Sequence, residues 1–473
     1  MPAKPEKTKN KAIRSRSAEA VDKKAIRPRP DEAVDKKAIR PRPDEAVDKK
    51  AIRPRPDEAV DKKAIRPGPY SAPNFSTILR NLAGKPTRPV SSATLQAAPL
   101  AHFGYGEELT LKDQALARFW QSYRLPAAPA PTIASPRPRA YRTTSKRRTV
   151  LRGPYLYLVF GDKISKSQKR GFLESPLEPP EHAAIYAFLQ RKLSEPSYRL
   201  LASHLNHLII RGSYREMAVI FNVAKMNGPL VRKLKLAAEH LQNLKEPVTA
   251  AFAYLDPTGS DYYFEKRRPD DKIQFKKLFG PPHLEVRFGE SRFQFHPTSF
   301  SQVNESIVET MLNQAGAMLA PAGNEHLADL YCGYGLFSHY LAGDYRKVTG
   351  IDAEGPSIRA AQANARLNRT GSKCRFIARN ITPKAIADLL PLSTEPLTLI
   401  LDPPKQGPQR GVIDAIGERQ PEKVLHIFCG VDQIPESLKE WQANNYQVEK
   451  VVPLDMFPGT TNLEVLILLT RKG

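Results

Sequence analysis

Cys429 and Glu464 are the two side chains of this 473-residue chain best suited to covalent and proton-transfer chemistry. Cys429 ends the apolar run Val424 to Phe428 in Phe428-Cys429-Gly430. A thiolate at the rim of a sheet can add to carbon 6 of a uracil or cytosine ring, which makes carbon 5 a nucleophile able to take a methyl group. A base must then remove the carbon-5 proton so that the thiol can be eliminated. Glu464, at the start of the late apolar run Leu463 to Leu469, is the candidate, helped by a modestly raised pKa in a partly buried place. The competing fate of Cys429 is that of most free cysteines, a small buried hydrophobe. Cys332 and Cys374 take that role, Cys332 as pocket wall and Cys374 as core.

A methyl donor needs a binding turn. Gly333-Tyr334-Gly335 follows an apolar run and opens a helix, so the backbone can approach a ligand, and Asp352 ends the next run, where an acid can hold both hydroxyls of a ribose. Ser338 stands where a dinucleotide fingerprint needs its third glycine, and no phosphate-loop lysine follows. That favours a nucleoside without phosphates, such as S-adenosylmethionine, over NAD or ATP, with tight chain packing as the alternative role of the turn. Asp402-Pro403-Pro404-Lys405 ends a further run, and two prolines fix the acid at the rim, facing either cofactor or base. Lys405, where amine methyltransferases place a stacking aromatic, argues against methylation of an exocyclic amine.

The elements that must position these groups alternate. His326 to Tyr331, Lys347 to Ile351, Cys374 to Ala378, Leu397 to Leu401 and Val424 to Phe428 read as short strands separated by helical stretches such as Ser357 to Asn368. The pattern predicts an α/β fold with a parallel sheet covered on both faces, closed by strands Gln447 to Pro453 and Leu463 to Leu469. Ligands of such sheets bind beyond the carboxyl ends of the strands, where all these motifs fall. We expect this domain over 291–473, preceded by a smaller α+β central domain over 141–290. Within the latter, Tyr155 to Phe160 and Glu216 to Val223 read as strands and Glu181 to Leu193 as a helix. The basic cluster Arg142, Lys146, Arg147, Arg148 and Arg152 either follows a phosphate backbone or is a solvated edge. Residues 70–140 read as a Pro/Ala-rich linker with one amphipathic docking helix, Glu108 to Tyr123. Residues 1–69 hold 13-residue basic repeats built on Lys-Ala-Ile-Arg, with one Ile and one Val per full copy. So little apolar surface cannot offset about 1 to 2 kcal/mol of backbone entropy per residue, so a disordered arm is expected, able to gather RNA through phosphate contacts.

With 73 Lys and Arg against 49 Asp and Glu, a formal net charge of +24, polyanions are the expected partners, RNA or DNA before anionic membrane. Three cysteines without a C-x-x-C pair support neither a disulfide framework nor a zinc or iron–sulfur site, and the histidines lack metal-binding spacing. No apolar run approaches the ~18 residues of a bilayer span, so a soluble, cytoplasmic protein that needs no oligomer is expected.

Taken together, Phe295 to Asn304, Asp329 to Gly335, Asp402 to Lys405, Cys429, and Asp455-Met456-Phe457-Pro458 before Asn462-Leu463-Glu464 resemble the RNA uracil-C5 methyltransferases, which make 5-methyluridine in transfer and ribosomal RNA. The resemblance covers the C-terminal third and, more loosely, the middle from Tyr141, including Asn206 to Arg211. It implies a Rossmann-like class I methyltransferase sheet, S-adenosyl-L-methionine as cofactor without metal or iron–sulfur cluster, and tRNA or rRNA as partner. It also implies that Gln302, Tyr331, Asp352 and Asp402 bind the cofactor, that Cys429 is the nucleophile, and that Glu464 is the base. The chain departs from the family pattern in three places. Cys429 is followed by Gly430-Val431 in place of Asn-Pro, Leu336 replaces an asparagine near the cofactor, and Asn462 replaces the histidine before the base. Two other functions stay open on this pattern: an RNA-binding chaperone or assembly factor of weakened catalysis, and a cytosine-C5 methyltransferase.

Overall fold

The structure is a computed structural model that describes residues 73–85, 98–160, 174–259, 275–353, 355–390, 392 and 395–473. The basic repeats expected to form a disordered arm lie outside the described residues. The first sheet has six strands: β1 (Thr144–Arg152), β2 (Tyr155–Val159), β3 (Leu205–Gly212), β4 (Met217–Val223), β5 (Val248–Leu255) and β6 (Phe275–Phe279). Their order is β2-β1-β3-β4-β5-β6, and only β4 and β5 run parallel. Strand alternation sends Leu208, Ile210, Val219 and Phe221 toward the helices Pro180–Leu193 and Gly228–Gln242, while Ile209, Ala218, Ile220 and Phe252 join the core of the C-terminal domain. Both faces of this sheet are therefore buried, which is why every residue of β4 is apolar except the hydrogen-bonded Asn222.

The hairpin β7 (Leu284–Phe288) and β8 (Ser291–Phe295) straddles the 290/291 boundary expected from sequence. Its second strand is stitched to the helix Pro356–Leu367, since Asn364 and Asn368 accept from the Gln294 and Arg292 amides at 2.8 and 2.9 Å. It belongs with the C-terminal domain.

That domain is built on β9 (His326–Leu330), β10 (Lys347–Asp352), β11 (Cys374–Ala378), β12 (Leu397–Leu401), β13 (Lys423–Phe428), β14 (Tyr446–Leu454) and β15 (Glu464–Arg471). The order is β11-β10-β9-β12-β13-β15-β14, with β15 antiparallel to both neighbours and the rest parallel. The expected α/β sheet is thus present, covered on both faces. Along β15, Leu466 and Leu468 pack on the side of the Glu305–Leu319 helix, and Val465, Ile467 and Leu469 pack on the other. Full burial of each such side chain contributes about 1.5 to 3 kcal/mol.

The second face holds a surprise for a segment expected to be a linker. Helices Phe75–Ala83 and Tyr105–Tyr123 lie in the core layer there, burying Phe75, Leu79, Leu116, Phe119 and Trp120 with residues of β9, β12, β13 and β15. Beyond them the chain runs alongside β14, where Ala130 and Ile133 donate to Val451 and Pro453 at 3.0 and 2.9 Å. This covers the sheet edge that β14 would otherwise expose. Pro and Ala content signals a loop only where no apolar surface waits to receive it.

Candidate active site

The chain leaves β9 for β10 and β11 on one side and returns to β12 on the other, so the crevice between β9 and β12 is the topological switch point. Four of the six residues singled out by sequence converge at the carboxyl ends of adjacent strands there. Tyr331 follows β9 in the left-handed region (φ 65°), a conformation that costs a non-glycine residue free energy and turns the chain out of the sheet. Asp352 closes β10, Asp402 follows β12, its amide donating to Leu330 O at 3.3 Å, and Cys429 follows β13. Glu464 opens the antiparallel β15, and the register Phe428↔Val465 brings the next pair across the ladder to Cys429 and Glu464. Thus 35 positions of chain separate two side chains that the sheet makes neighbours.

The electrostatics follow from this crowding of carboxylates in a poorly solvated crevice. Glu464 is 2 % exposed, and burial pushes its carboxyl from 4.5 up to about 7. Burial, the field of Glu464 and that of Asp402 push the Cys429 thiol up to about 12, partly offset by Lys405. Asp402 is likewise held well above the usual carboxylate range, by burial first and Glu464 second. Burial, with Asp352 beside it, raises the Tyr331 phenol to about 12.

Gln302 sits apart from that row. It lines a small cavity with Thr143, Gly212, Phe295, Ser301 and Tyr334, on the flank of the glycine turn. Arg211 at the end of β3 sets this segment in place, donating to Pro297 O at 2.9 Å and Ser301 Oγ at 2.8 Å while 4 % exposed. The first sheet therefore holds the Gln302 loop against the second.

Of the basic cluster, Arg147 is not free for phosphate. It is 1 % exposed, forms two bonds to the Glu178 carboxylate at 2.8 and 2.5 Å, and lies over the Phe160 and Tyr186 rings. A fully buried guanidinium needs such a partner, which a sequence pattern of adjacent basic residues does not reveal.

Sequence reasoning missed several residues that shape the site. Asp329 in β9 is fully buried, accepts from Ser338 N and Oγ at 3.0 and 2.6 Å, and is pushed by burial to about 7. Its other oxygen has no hydrogen-bond partner among the described residues. Asp432, three positions after Cys429, accepts from Phe75 N at 2.7 Å, and Gln433 Nε2 donates to Lys405 O, tying the Cys429 loop to the Asp-Pro-Pro loop. Glu108 and Lys112 were legible as an i,i+4 pair on a stripe otherwise made of Ala115, Leu116 and Phe119. Charges on a helix's buried stripe signal a partner from elsewhere in the chain.

The turn fits a nucleoside cofactor. Gly333 and Gly335 have φ of 56° and 83°; a Cβ placed on Gly333 would meet no atom within 4 Å, so the space over Gly333 is open, while one on Gly335 would lie 2.8 Å from the His339 ring. Asp352 accepts from Gly333 N at 2.8 Å and Ala353 N at 2.6 Å, which orients its carboxylate at the edge of that space. Gly350 has no such freedom, since a Cβ there would lie 2.6 Å from the Phe376 ring. Among the described residues no group of three His, Cys, Asp or Glu side chains could hold a metal ion, and no helix is long and apolar enough to cross a membrane.

This sheet order, the switch-point crevice and the glycine turn are those of a class I S-adenosylmethionine-dependent methyltransferase. The fold is shared with a Pyrococcus abyssi tRNA (uracil-54, C5)-methyltransferase solved with S-adenosyl-L-homocysteine, at TM-score 0.59 and 19% identity, over 82% of this chain and 88% of that one. The family model for tRNA (uracil-5-)-methyltransferases matches residues 264–472. An uncharacterised RNA methyltransferase of Thermosynechococcus vestitus is 29% identical over 383 residues, 78% of this chain and 80% of that protein. Another from Enterococcus faecalis is 25% identical over 406 residues, 82% and 84% of the two chains. Residues 264–472 thus resemble the tRNA (uracil-5-)-methyltransferases, and the chain, similar over about four fifths of its length to RNA methyltransferases, is an S-adenosylmethionine-dependent RNA methyltransferase.

Proposed function

We propose that this enzyme methylates carbon 5 of a uridine in tRNA or rRNA through a covalent adduct with Cys429. The observation that carries this is the end of the β13–β15 ladder at Phe428↔Val465, which leaves Cys429 and Glu464 as the next residues of the two strands, with the field of Glu464 acting on the Cys429 thiol and burial holding the Glu464 carboxyl at about 7. S-Adenosylmethionine, when bound, supplies an electrophilic methyl group, and Asp352, Tyr331, Asp402 and Gln302 are the residues that would hold it around the open glycine turn. Cys429 Sγ bonds to carbon 6 of a base taken out of its stack, its S–H proton passes to water, and the ring electrons become an enolate nucleophilic at carbon 5. After methyl transfer Glu464 takes the carbon-5 proton, the electron pair re-forms the ring double bond, and the thiolate is expelled.

A thiol at about 12 is protonated in the free protein, so addition and deprotonation are coupled to substrate binding rather than completed in advance. Glu464 at about 7 is suited to accept a proton near neutrality and release it again. The net charge of +24 supplies the general attraction to an RNA backbone.

Nucleoside mass spectrometry on RNA from cells with and without the chain, repeated with Cys429→Ala, tests the proposal. Loss of one 5-methyluridine in both the deletion and the variant is expected. An unchanged set of methylated pyrimidines would sink it, and loss of a 5-methylcytidine instead would move the target to cytosine.

A further inference from the structure

Between β14 and β15 the chain makes a loop, Asp455 to Thr460, many of whose polar groups are bonded by segments N-terminal to the sheet. Gly459 N donates to Glu108 Oε1 at 2.5 Å, and Gly459 O accepts from Leu100 N at 2.9 Å. Tyr141 Oη donates to Pro458 O at 3.0 Å, Lys112 Nζ to Phe457 O at 3.4 Å, and Asn304 Nδ2 to Met456 O at 3.1 Å. At the centre, Lys112 Nζ lies 2.7 Å from Asp455 Oδ1 and 2.9 Å from Glu108 Oε1, all three side chains being 0% exposed, and Arg139 adds the second cation, 3.0 Å from Glu108 Oε2.

A buried ion cluster of this kind gives little net stability over well-packed apolar residues, while losing one member leaves an uncompensated charge. Its distinctive effect is to allow one register only. Glu464 lies five residues beyond Gly459, and Gly459 (φ 79°) would bring any side chain to 2.6 Å from Leu177, so this loop has little room to rearrange. A base displaced by ~1 Å from its proton can lose about a hundredfold in rate.

We propose that Lys112, on the N-terminal helix Tyr105–Tyr123, is a positioning residue that fixes the base Glu464 by pinning the Asp455–Thr460 loop. The proposal rests on the reading of Glu464 as the base. The helix before it grips the other catalytic loop, through Phe75 N and Asp432, so the segment that composition marks as a linker bounds the active site on both sides.

The test separates adduct formation from adduct resolution, using the full chain, RNA from cells lacking it, and S-adenosylmethionine, with covalent protein–RNA species resolved on denaturing gels. Two variants are compared with wild type: Lys112→Met combined with Asp455→Asn, which keeps the Glu108–Arg139 pair, and Tyr141→Phe, which deletes one bond to the same loop and leaves the charges alone. Adduct formation by Cys429 is expected within about twofold of wild type, with resolution slowed about tenfold or more in the double variant and less in Tyr141→Phe, so that adduct accumulates. Should the double variant fail to fold, Tyr141→Phe carries the decision by the same readout. Equal loss of formation and resolution, or resolution at the wild-type rate, overturns the positioning role while Glu464→Gln still traps adduct. A Glu464→Gln enzyme that turns over normally removes the base itself, and the proposal with it.

Discussion

Replacing Glu464 by Gln is expected to stabilise the protein while stopping the reaction. The carboxyl ionises at about 7 in the folded chain against 4.5 ordinarily, because burial disfavours its charge. At about 1.4 kcal/mol per tenfold change in the ionisation constant, holding this group charged costs the native state about 3 kcal/mol. Below pH 4.5 the group is neutral in folded and unfolded chains alike and nothing is lost. Between 4.5 and about 7 the unfolded chain has released the proton and the folded chain has not, so stability falls with rising pH. Above about 7 both are charged and the penalty is constant. Gln is neutral throughout and similar in shape, so the difference in thermal midpoint between Glu464→Gln and wild type should be near zero at pH 4.5, widen up to pH 7, and then level. Differential scanning calorimetry from pH 4.5 to 8.5 measures it. Adduct resolution by wild type should rise about tenfold per pH unit up to the same pH and flatten above it, since only the carboxylate accepts a proton. A midpoint difference that does not vary with pH would refute the argument that burial tunes this base.

Three further outcomes follow from the geometry. Cys429 with its thiol near 12 should react with iodoacetamide at pH 8 at least a hundredfold more slowly than a free cysteine, and faster in Glu464→Gln, which removes a negative field; alkylation followed by peptide mass spectrometry reads both rates, and fast labelling of wild type would contradict the electrostatic account. Gly350→Ala places a Cβ 2.6 Å from Phe376 and 3.0 Å from Cys332 Sγ, so a loss of about 1 to 3 kcal/mol and weaker cofactor binding are expected from urea unfolding and calorimetric titration with S-adenosylhomocysteine. Arg211→Met removes two charge-assisted bonds to the segment carrying Gln302, and should cost about 2 to 4 kcal/mol and raise KM for S-adenosylmethionine more than it lowers kcat; unchanged KM would show that Gln302 is positioned without the first sheet.

The chain's own pattern determined the C-terminal sheet, because its signals are local. Apolar runs bounded by turn residues mark β9 to β13 within a residue or so at each end, and Gly333-Tyr334-Gly335, Asp402-Pro403-Pro404 and Cys429 fall at strand ends by simple counting. The order of the motifs likewise carried the resemblance to the RNA uracil-C5 methyltransferases. Tertiary structure alone decided three things. It brought Cys429 and Glu464 to the same end of the β13–β15 ladder, one residue beyond its last pair, since β15 inserts antiparallel between β13 and β14 and no periodicity encodes that insertion. It turned a Pro/Ala-rich stretch into a packed layer, because the apolar face of β9, β12, β13 and β15 offers more burial than the composition of 70–140 suggests. It took Arg147 out of the basic surface and set Lys112 against the Asp455–Thr460 loop, since the fate of a charge depends on which opposite charge the fold brings within about 3 Å. Periodicity reports which face of an element is apolar, while register, partner and dielectric belong to the neighbours that only the folded chain supplies.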